Sequence, residues 1–191
     1  MHPSLLASYD ALERHTRNLL SQLGALSAEQ LAFRPAPDSW CLLEVADHLV
    51  RTEAAVVLGL EKGLPAHKRR PTWRQRLARP LVVPALRWPI RIKVPTALVQ
   101  PRAGRTLDEV KTEWRQVRAA LAGELAALDA GRLREPVILH PIGGPVDAAQ
   151  TLAFLGAHVD HHGHQVRRIR ACPGFPARRP GDAQLPAAQD G

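Results

Sequence analysis

Four histidines of this 191-residue chain fall within seven positions, His158-Val159-Asp160-His161-His162-Gly163-His164. Neutral imidazoles are nitrogen ligands for transition metals, and two of them four residues apart project from adjacent turns of one helix face. His158 and His162 have that spacing. An apolar seam runs Leu152, Leu155, Val159, position 162, Val166 and Ile169, so His162 stands where the pattern calls for Leu or Val, and His158 lies one turn earlier on the same face. His161 lies at the edge of the same face. Asp160 and His164 point away from it and are expected to be solvated. Two ligands hold a metal poorly, so a third should come from another helix, and the second long helix carries one histidine, His48, beside Leu49 and three residues after Val45. At 1.5 Å rise per residue, His48 is roughly 14 Å from the start of its helix, and the midpoint of His158 and His162 is roughly 15 Å from the end of theirs. In antiparallel helices the three rings meet at one level. In parallel ones they miss by roughly a turn. A single histidine on an apolar face is more often a hydrogen-bonded packing residue; the coincidence of three carries the metal reading.

Three imidazoles leave coordination positions open, as in catalytic rather than structural sites. An open metal lowers the pKa of bound water or stabilises a coordinated thiolate. No HExxH glutamate accompanies the pair, so His140 and His161 are the candidate acid–base residues. Trp114, on the seam of the third long helix, is a candidate pocket wall, with core packing as the alternative. Trp40 is read as an anchor for the start of the second helix.

These residues need four long helices to position them, which makes the expected fold all-α. Leu5, Tyr9, Leu12, Thr16, Leu19, Leu23 and Leu26 form a seam over residues 3–26, followed by a short helix opened by the capping box Ser27-Ala28-Glu29-Gln30. Pro35 and Pro37 break the chain, and Asp38 or Ser39 can cap a second helix over about 40–63. Thr106-Leu107-Asp108-Glu109 opens a third, with Leu107, Val110, Trp114, Val117, Leu121 and Leu128 as its seam, and Asp147 caps a fourth that runs to about Arg170. Between the third and fourth, Pro136–Pro141 can form a short extended piece before Gly143-Gly144-Pro145. Residues 64–105 hold seven prolines (65, 71, 80, 84, 89, 95, 101), with short helical pieces expected around 72–79. So long a connection suits a crossover between parallel neighbours, because a short loop joins only antiparallel helices. The order is then up-down-down-up. Residues 1–172 read as one domain and 173–191 as a disordered Pro, Ala, Arg and Gly-rich tail.

Composition narrows the classes. Apolar residues at 45% and charged residues at 23% are ordinary for a globular protein. No run of 18 apolar residues offers a membrane span. Asp10 and Glu13 interrupt the first turns, which do not read as a secretory signal, and two distant cysteines fit a reducing compartment, so the expectation is cytoplasmic. The formal charge of +8 is uneven: residues 65–105 carry eleven Lys and Arg and no acid, leaving about −3 for the rest. Arg69, Arg70, Arg74 and Arg76, with Trp73 and Trp88 interleaved, could bind nucleic acid, acidic lipid or an anionic cosubstrate. A solvated crossover explains them more simply.

Pro37-Asp38-Ser39-Trp40 with Glu44-Val45-Ala46-Asp47-His48-Leu49, then His140-Pro141 with Gly143-Gly144, then His158-Val159-Asp160-His161-His162-Gly163-His164-Gln165, together resemble the DinB/YfiT-like superfamily over about residues 5–171. The resemblance implies a four-helix bundle in up-down-down-up order and one divalent ion, nickel or zinc, on His48, His158 and His162. Gln165 matches the trailing glutamine, behind the ligands or in packing. Members include thiol-dependent S-transferases and isomerases and metal-dependent hydrolases. The implied activity is therefore transfer to or from a low-molecular-weight thiol with a small-molecule substrate, with hydrolysis second and a non-catalytic role of the basic segment third. A homodimer is the implied assembly.

Overall fold

Side chains that satisfy the free N–H groups of a first turn mark where these helices start. In the computed structural model, which describes residues 1–87 and 97–177, α1 (Pro3–Gly24) has proline in its first turn, where a missing N–H costs nothing. Ser27 and Gln30 cap each other at the start of α2 (Ala28–Ala32). The next helix, α3 (Leu42–Lys62), begins later than the sequence suggested and is capped by neither Asp38 nor Ser39. Its N-cap is Cys41, whose N–H is taken by Glu44 at 3.0 Å, while Arg34 holds that carboxylate at 2.6 Å and the Ser39 carbonyl at 2.8 Å. Arg34 thus ties the proline-broken approach to the first turn of the helix.

The crossover is more helical than expected. α4 (Trp73–Arg87) runs through Pro80 and Pro84. Each proline removes a bond to the carbonyl four residues back. Here those carbonyls belong to Arg76 and Pro80, which are exposed together with both prolines. The lost bonds fall on the outward side, where solvent can replace them. A short 3-10 turn, Ala97–Val99, precedes α5 (Leu107–Ala127), which Thr106 and Glu109 cap as expected.

The extended piece becomes a hairpin, β1 (Ile138–His140) paired antiparallel with β2 (Gly144–Val146), Ile138 opposite Val146. Gly144 turns it with φ +73°, and a Cβ there would lie 2.7 Å from the Gln75 amide, so both backbone and space require glycine. Arg79 donates to the carbonyls of Gly143 and Pro145, fastening α4 to the hairpin. Asp147 and Gln150 then cap α6 (Ala148–Arg170). The fold is mostly helical, with this hairpin as its sheet among the described residues. None of the described helices is long and apolar enough to cross a membrane.

α1 packs on α6 and α3 on α5, with α6 also meeting α3 and α4. Leu5, Leu12, Leu19 and Leu23 face Val45, Leu49, Val110, Leu121, Leu152 and Val166 in one apolar core. The α5 seam departs from expectation: Leu107 and Leu128 at its ends are half-buried, Leu125 is buried, and in the middle Val117 is half-buried while Arg118 takes the buried place. The reason is Glu53 on α3. Arg118 donates to Glu53 at 2.6 and 2.8 Å and to Thr16 at 3.0 Å, and also pairs with Glu13, while Trp114 Nε1 donates to Glu53 at 2.9 Å. Three helices are thereby keyed through one buried ion pair.

Of the expected tail, residues 178–191 lie outside those described. Its first residues are anchored: Phe175 meets Phe33 edge-on at 5.3 Å, and the Pro176 carbonyl accepts from Gln30 at 2.9 Å.

Candidate metal centre

From Trp40 into α3 and along α6, touching pairs run in opposite order, Trp40 with His162 and His48 with His158. That brings His48 level with the α6 pair. His48 Nδ1 lies 2.6 Å from the Val99 carbonyl, which can only accept, so the ring's proton is on Nδ1 and its Nε2 presents a lone pair. Val99 is held in place by its surroundings. Arg51 donates to the Leu98 carbonyl at 2.7 Å, and Arg102 gives its backbone N–H and its guanidinium to the fully buried Asp47 at 2.7 and 2.6 Å. The end of the crossover is therefore clamped beside His48. On α6 the His162 Nδ1 donates to the Gln165 amide oxygen at 2.8 Å, which again leaves Nε2 as a lone pair.

Both lone pairs face His158. Its Nε2 is 3.3 Å from that of His48 and 3.1 Å from that of His162, and the three ligand atoms lie within 4.8 Å of one another. A proton on His158 Nε2 could make a good bond to one neighbour, but not to both at once. A cation among the three satisfies all of them. Metal–nitrogen bonds of about 2.0–2.1 Å at tetrahedral angles place nitrogens about 3.3 Å apart, close to the two spacings seen. The donor set fits a divalent metal.

Electrostatics favour the same outcome. Burial, then the neighbouring His162 and His48, hold His158 well below the ordinary imidazole range. Burial and His48 push His162 down to about 3. Burial likewise lowers His48, against the pull of the Val99 carbonyl. Rings that resist protonation are ready ligands. Trp40 packs 4.9 Å from His48 and stacks on His162 at 6.4 Å, and Phe154 stacks on His158 at 5.4 Å. The centre has aromatic walls.

The rings open onto a cavity of about 1290 Å³ between α3, α4, the hairpin and α6. His140 and His161 both line it. The His140 Nδ1 accepts the N–H of Gly143 at 2.9 Å and of Ile142 at 3.2 Å, so its proton sits on Nε2. With burial pushing its pKa down to about 4, His140 is a neutral donor and not the base its type suggested. His161 is buried rather than at a helix edge, and its Nδ1 donates to the Leu86 carbonyl at 2.9 Å, making Nε2 its accepting end. Trp114 is no pocket wall. At 2% exposure, with its N–H on Glu53, it belongs to the core and is absent from the cavity lining. Asp160 is not merely solvated, since it pairs with His15 on α1.

Sequence reasoning missed Trp40 and Phe154 as walls and Val99 as a partner. Trp40 precedes His48 by eight residues, about two turns, which was the available signal. Phe154 precedes His158 by four. Val99 gave none, because its contribution is a carbonyl. The basic segment divides: Arg69 pairs weakly with Glu135 at 3.5 Å, Arg102 and Arg105 meet Glu113 at 2.6 and 2.7 Å, Arg74 lies over the Trp73 ring at 5.3 Å, and Arg70 and Arg76 are exposed. Trp88 lies outside the described residues.

Two outcomes follow from this geometry. Gln165→Ala removes the acceptor that fixes the His162 tautomer, and is expected to weaken metal binding roughly 10–100-fold with the fold unchanged, read by competition with a chelating dye. Acidification should destabilise the metal-free protein. His140 and His162 titrate near 4 and 3 when folded, against about 6.5 unfolded, so below about pH 6.5 the unfolded chain binds more protons. Their contribution is complete above pH 6.5 and is lost as pH falls toward 3–4. For His140 alone this is on the order of 3 kcal/mol. Melting temperatures of chelated protein at pH 7 and pH 5 check the sign.

A helical fold with a three-histidine cluster at the meeting of two helices defines a class of metal-binding helical proteins. The model of the DinB superfamily matches residues 11–166, most of the chain, and the protein belongs to that superfamily. It is also similar to uncharacterized protein YuaE of Bacillus subtilis (strain 168), 27% identical over 150 residues that cover 78% of this chain and 89% of that protein. No solved structure matches the chain.

Proposed function

We propose that this protein is a metal-dependent thiol S-transferase, acting at one divalent ion, zinc or nickel, held by His48, His158 and His162 from the interior of an up-down-down-up four-helix bundle. The observation that carries it is the convergence of three Nε2 atoms at the edge of a large apolar cavity. The bundle is supported by the partners of α1, α3, α5 and α6. On α3 and α6 touching residues run in opposite order, while on α3 and α5 they run in the same order, Asp47 linked through Arg102 to Glu113 and Glu53 to Arg118. The free cysteines Cys41 and Cys172 support a reducing, cytoplasmic setting.

When bound, the ion supplies a positive centre that deprotonates a coordinating thiol outright. Chain residues do the remainder. Trp40 and Phe154 exclude water around the three rings, and the carbonyls of Val99 and Gln165 hold two of them in one tautomer. His140, fixed with its proton on Nε2, offers a hydrogen bond to charge that develops on the substrate as the carbon–sulfur bond forms and the leaving group departs with its electron pair. His161, with Nε2 as its accepting end, is the candidate for taking a proton. Hydrolysis is second, because among the described residues Asp38 is the one carboxylate that lines the cavity, and water activation ordinarily enlists such a group beside the ion.

The test is conjugation of a panel of low-molecular-weight thiols to an electrophilic aryl halide by the zinc- and nickel-loaded protein. Metal-dependent loss of thiol, abolished in His162→Ala, is expected. Ester cleavage without thiol consumption would transfer the assignment to a hydrolase.

A further inference from the structure

The helix of the crossover has an unusual surface. On α4 the residues that face outward are Trp73, Leu77 and Leu81, spaced by four and 67, 66 and 64% exposed, together with Pro80 and Pro84. At 100° per residue these five occupy one face of the helix, and Arg74 and Arg76 fall on its two flanks. The inward side, with Ala78, Val82, Ala85 and Leu86, lines the cavity, and α4 rests on α6. A solvent-facing helix normally puts its charges at the centre of the outer face, and one apolar on both sides is expected to be covered. Here the charges sit at the border.

The apolar surface continues beyond the helix. Leu81 belongs both to the outward face and to the cavity lining, and Leu98, Leu139 and Ile142 also line the cavity while being 57, 44 and 48% exposed. Leu81 therefore links the apolar α4 face to the cavity rim. The segment's own charge has a single sign, since residues 65–87 contain seven Lys and Arg and no acid, and Glu135 meets only Arg69 among them. Arg70, Arg74 and Arg76 make no ion pair among the described residues, whereas Arg79, Arg102 and Arg105 have backbone or carboxylate partners elsewhere in the fold.

We propose that α4 docks this protein on an anionic lipid surface, with Trp73, Leu77 and Leu81 entering the boundary between headgroups and acyl chains and Arg70, Arg74 and Arg76 on the lipid phosphates. An apolar face bordered by arginines, with an indole at its start, has the chemistry of an interfacial helix. Charge complementarity selects the partner: an anionic leaflet attracts such a segment, and a neutral one does not. Nucleic acid would meet the arginines but has no use for the leucines between them. The docked face carries the cavity rim, so an apolar substrate could enter from the bilayer without crossing water. The docking itself does not depend on the metal chemistry.

Sedimentation of the full chain with vesicles tests this directly. One set is phosphatidylcholine alone, and in the other about a third of the lipid is phosphatidylglycerol. The protein is expected to pellet with the anionic set only, with Trp fluorescence quenched by brominated acyl chains. Leu77→Asp should lower binding roughly tenfold or more, and so should Arg70→Gln with Arg74→Gln, each with the helical circular dichroism retained. A Trp73→Phe variant that binds but loses the quenching identifies the indole. Absence of binding to either set overturns the proposal. So does binding that Leu77→Asp leaves intact, which would be charge attraction alone. A lipid-free dimer that Leu77→Asp splits into monomers would assign the face to a second copy of the chain instead.

Discussion

Replacing His162 with alanine is expected to abolish stoichiometric metal binding while leaving a folded helical protein. His162 supplies one of three nitrogens, and its Nε2 stands 3.1 Å from that of His158. Removing a partner behind a ligand already costs roughly 10–100-fold in affinity, so loss of the ligand itself should cost about a hundredfold or more. The fold should survive because α1, α3, α5 and α6 share an apolar core of Leu and Val side chains on either side of position 162 along α6, which does not need the imidazole to stay packed. Leu12, Val45, Leu121 and Leu152 stay in contact whatever occupies position 162. Metal content after gel filtration, together with circular dichroism of the same sample, reads both halves. A variant that still retains one tightly bound equivalent would mean the ion is held elsewhere.

Glu53→Ala should have the opposite profile, with the metal kept and stability lost. Glu53 is 2% exposed and receives the Arg118 guanidinium and the Trp114 indole N–H. Truncation leaves a buried cation whose remaining carboxylate, Glu13, is partly exposed. Breaking a buried pair from one side costs about 3–5 kcal/mol. For a domain of this size that is a fall of roughly 10 °C or more in melting temperature. Adding Arg118→Met to Glu53→Leu should recover much of the loss, since replacing both partners by apolar groups is often neutral. If the double substitution is no better than Glu53→Ala, the pair contributes more than the mutual neutralisation described here.

The two predictions separate what could be read from the sequence from what could not. His158 and His162 were legible because a polar residue interrupted a clear apolar period, and His48 because its depth matched theirs. Glu53 and Arg118 were not. A seam is recognised by apolar residues, so charges that complete one another across two helices look like surface on each of them. The acid-free composition of the crossover misleads for a related reason: Arg102 reaches the buried Asp47 on α3, 55 residues away, and Arg102 and Arg105 both meet Glu113 on α5, just beyond the end of that segment. α4 was underestimated because Pro80 and Pro84 count as breakers in one dimension, whereas in three their missing bonds fall on the exposed side. His140 was legible by type but not by role. The N–H groups of Ile142 and Gly143 decide its tautomer, and backbone donors leave no trace in side-chain spacing.

The central claim is tested most directly by X-ray absorption at the metal edge of the zinc-loaded protein. The expected spectrum shows three imidazole nitrogens at about 2.0–2.1 Å, completed by a light atom from solvent. Sulfur scatterers at about 2.3 Å, or an oxygen-only shell without the imidazole pattern, would contradict it, because either places the ion away from His48, His158 and His162.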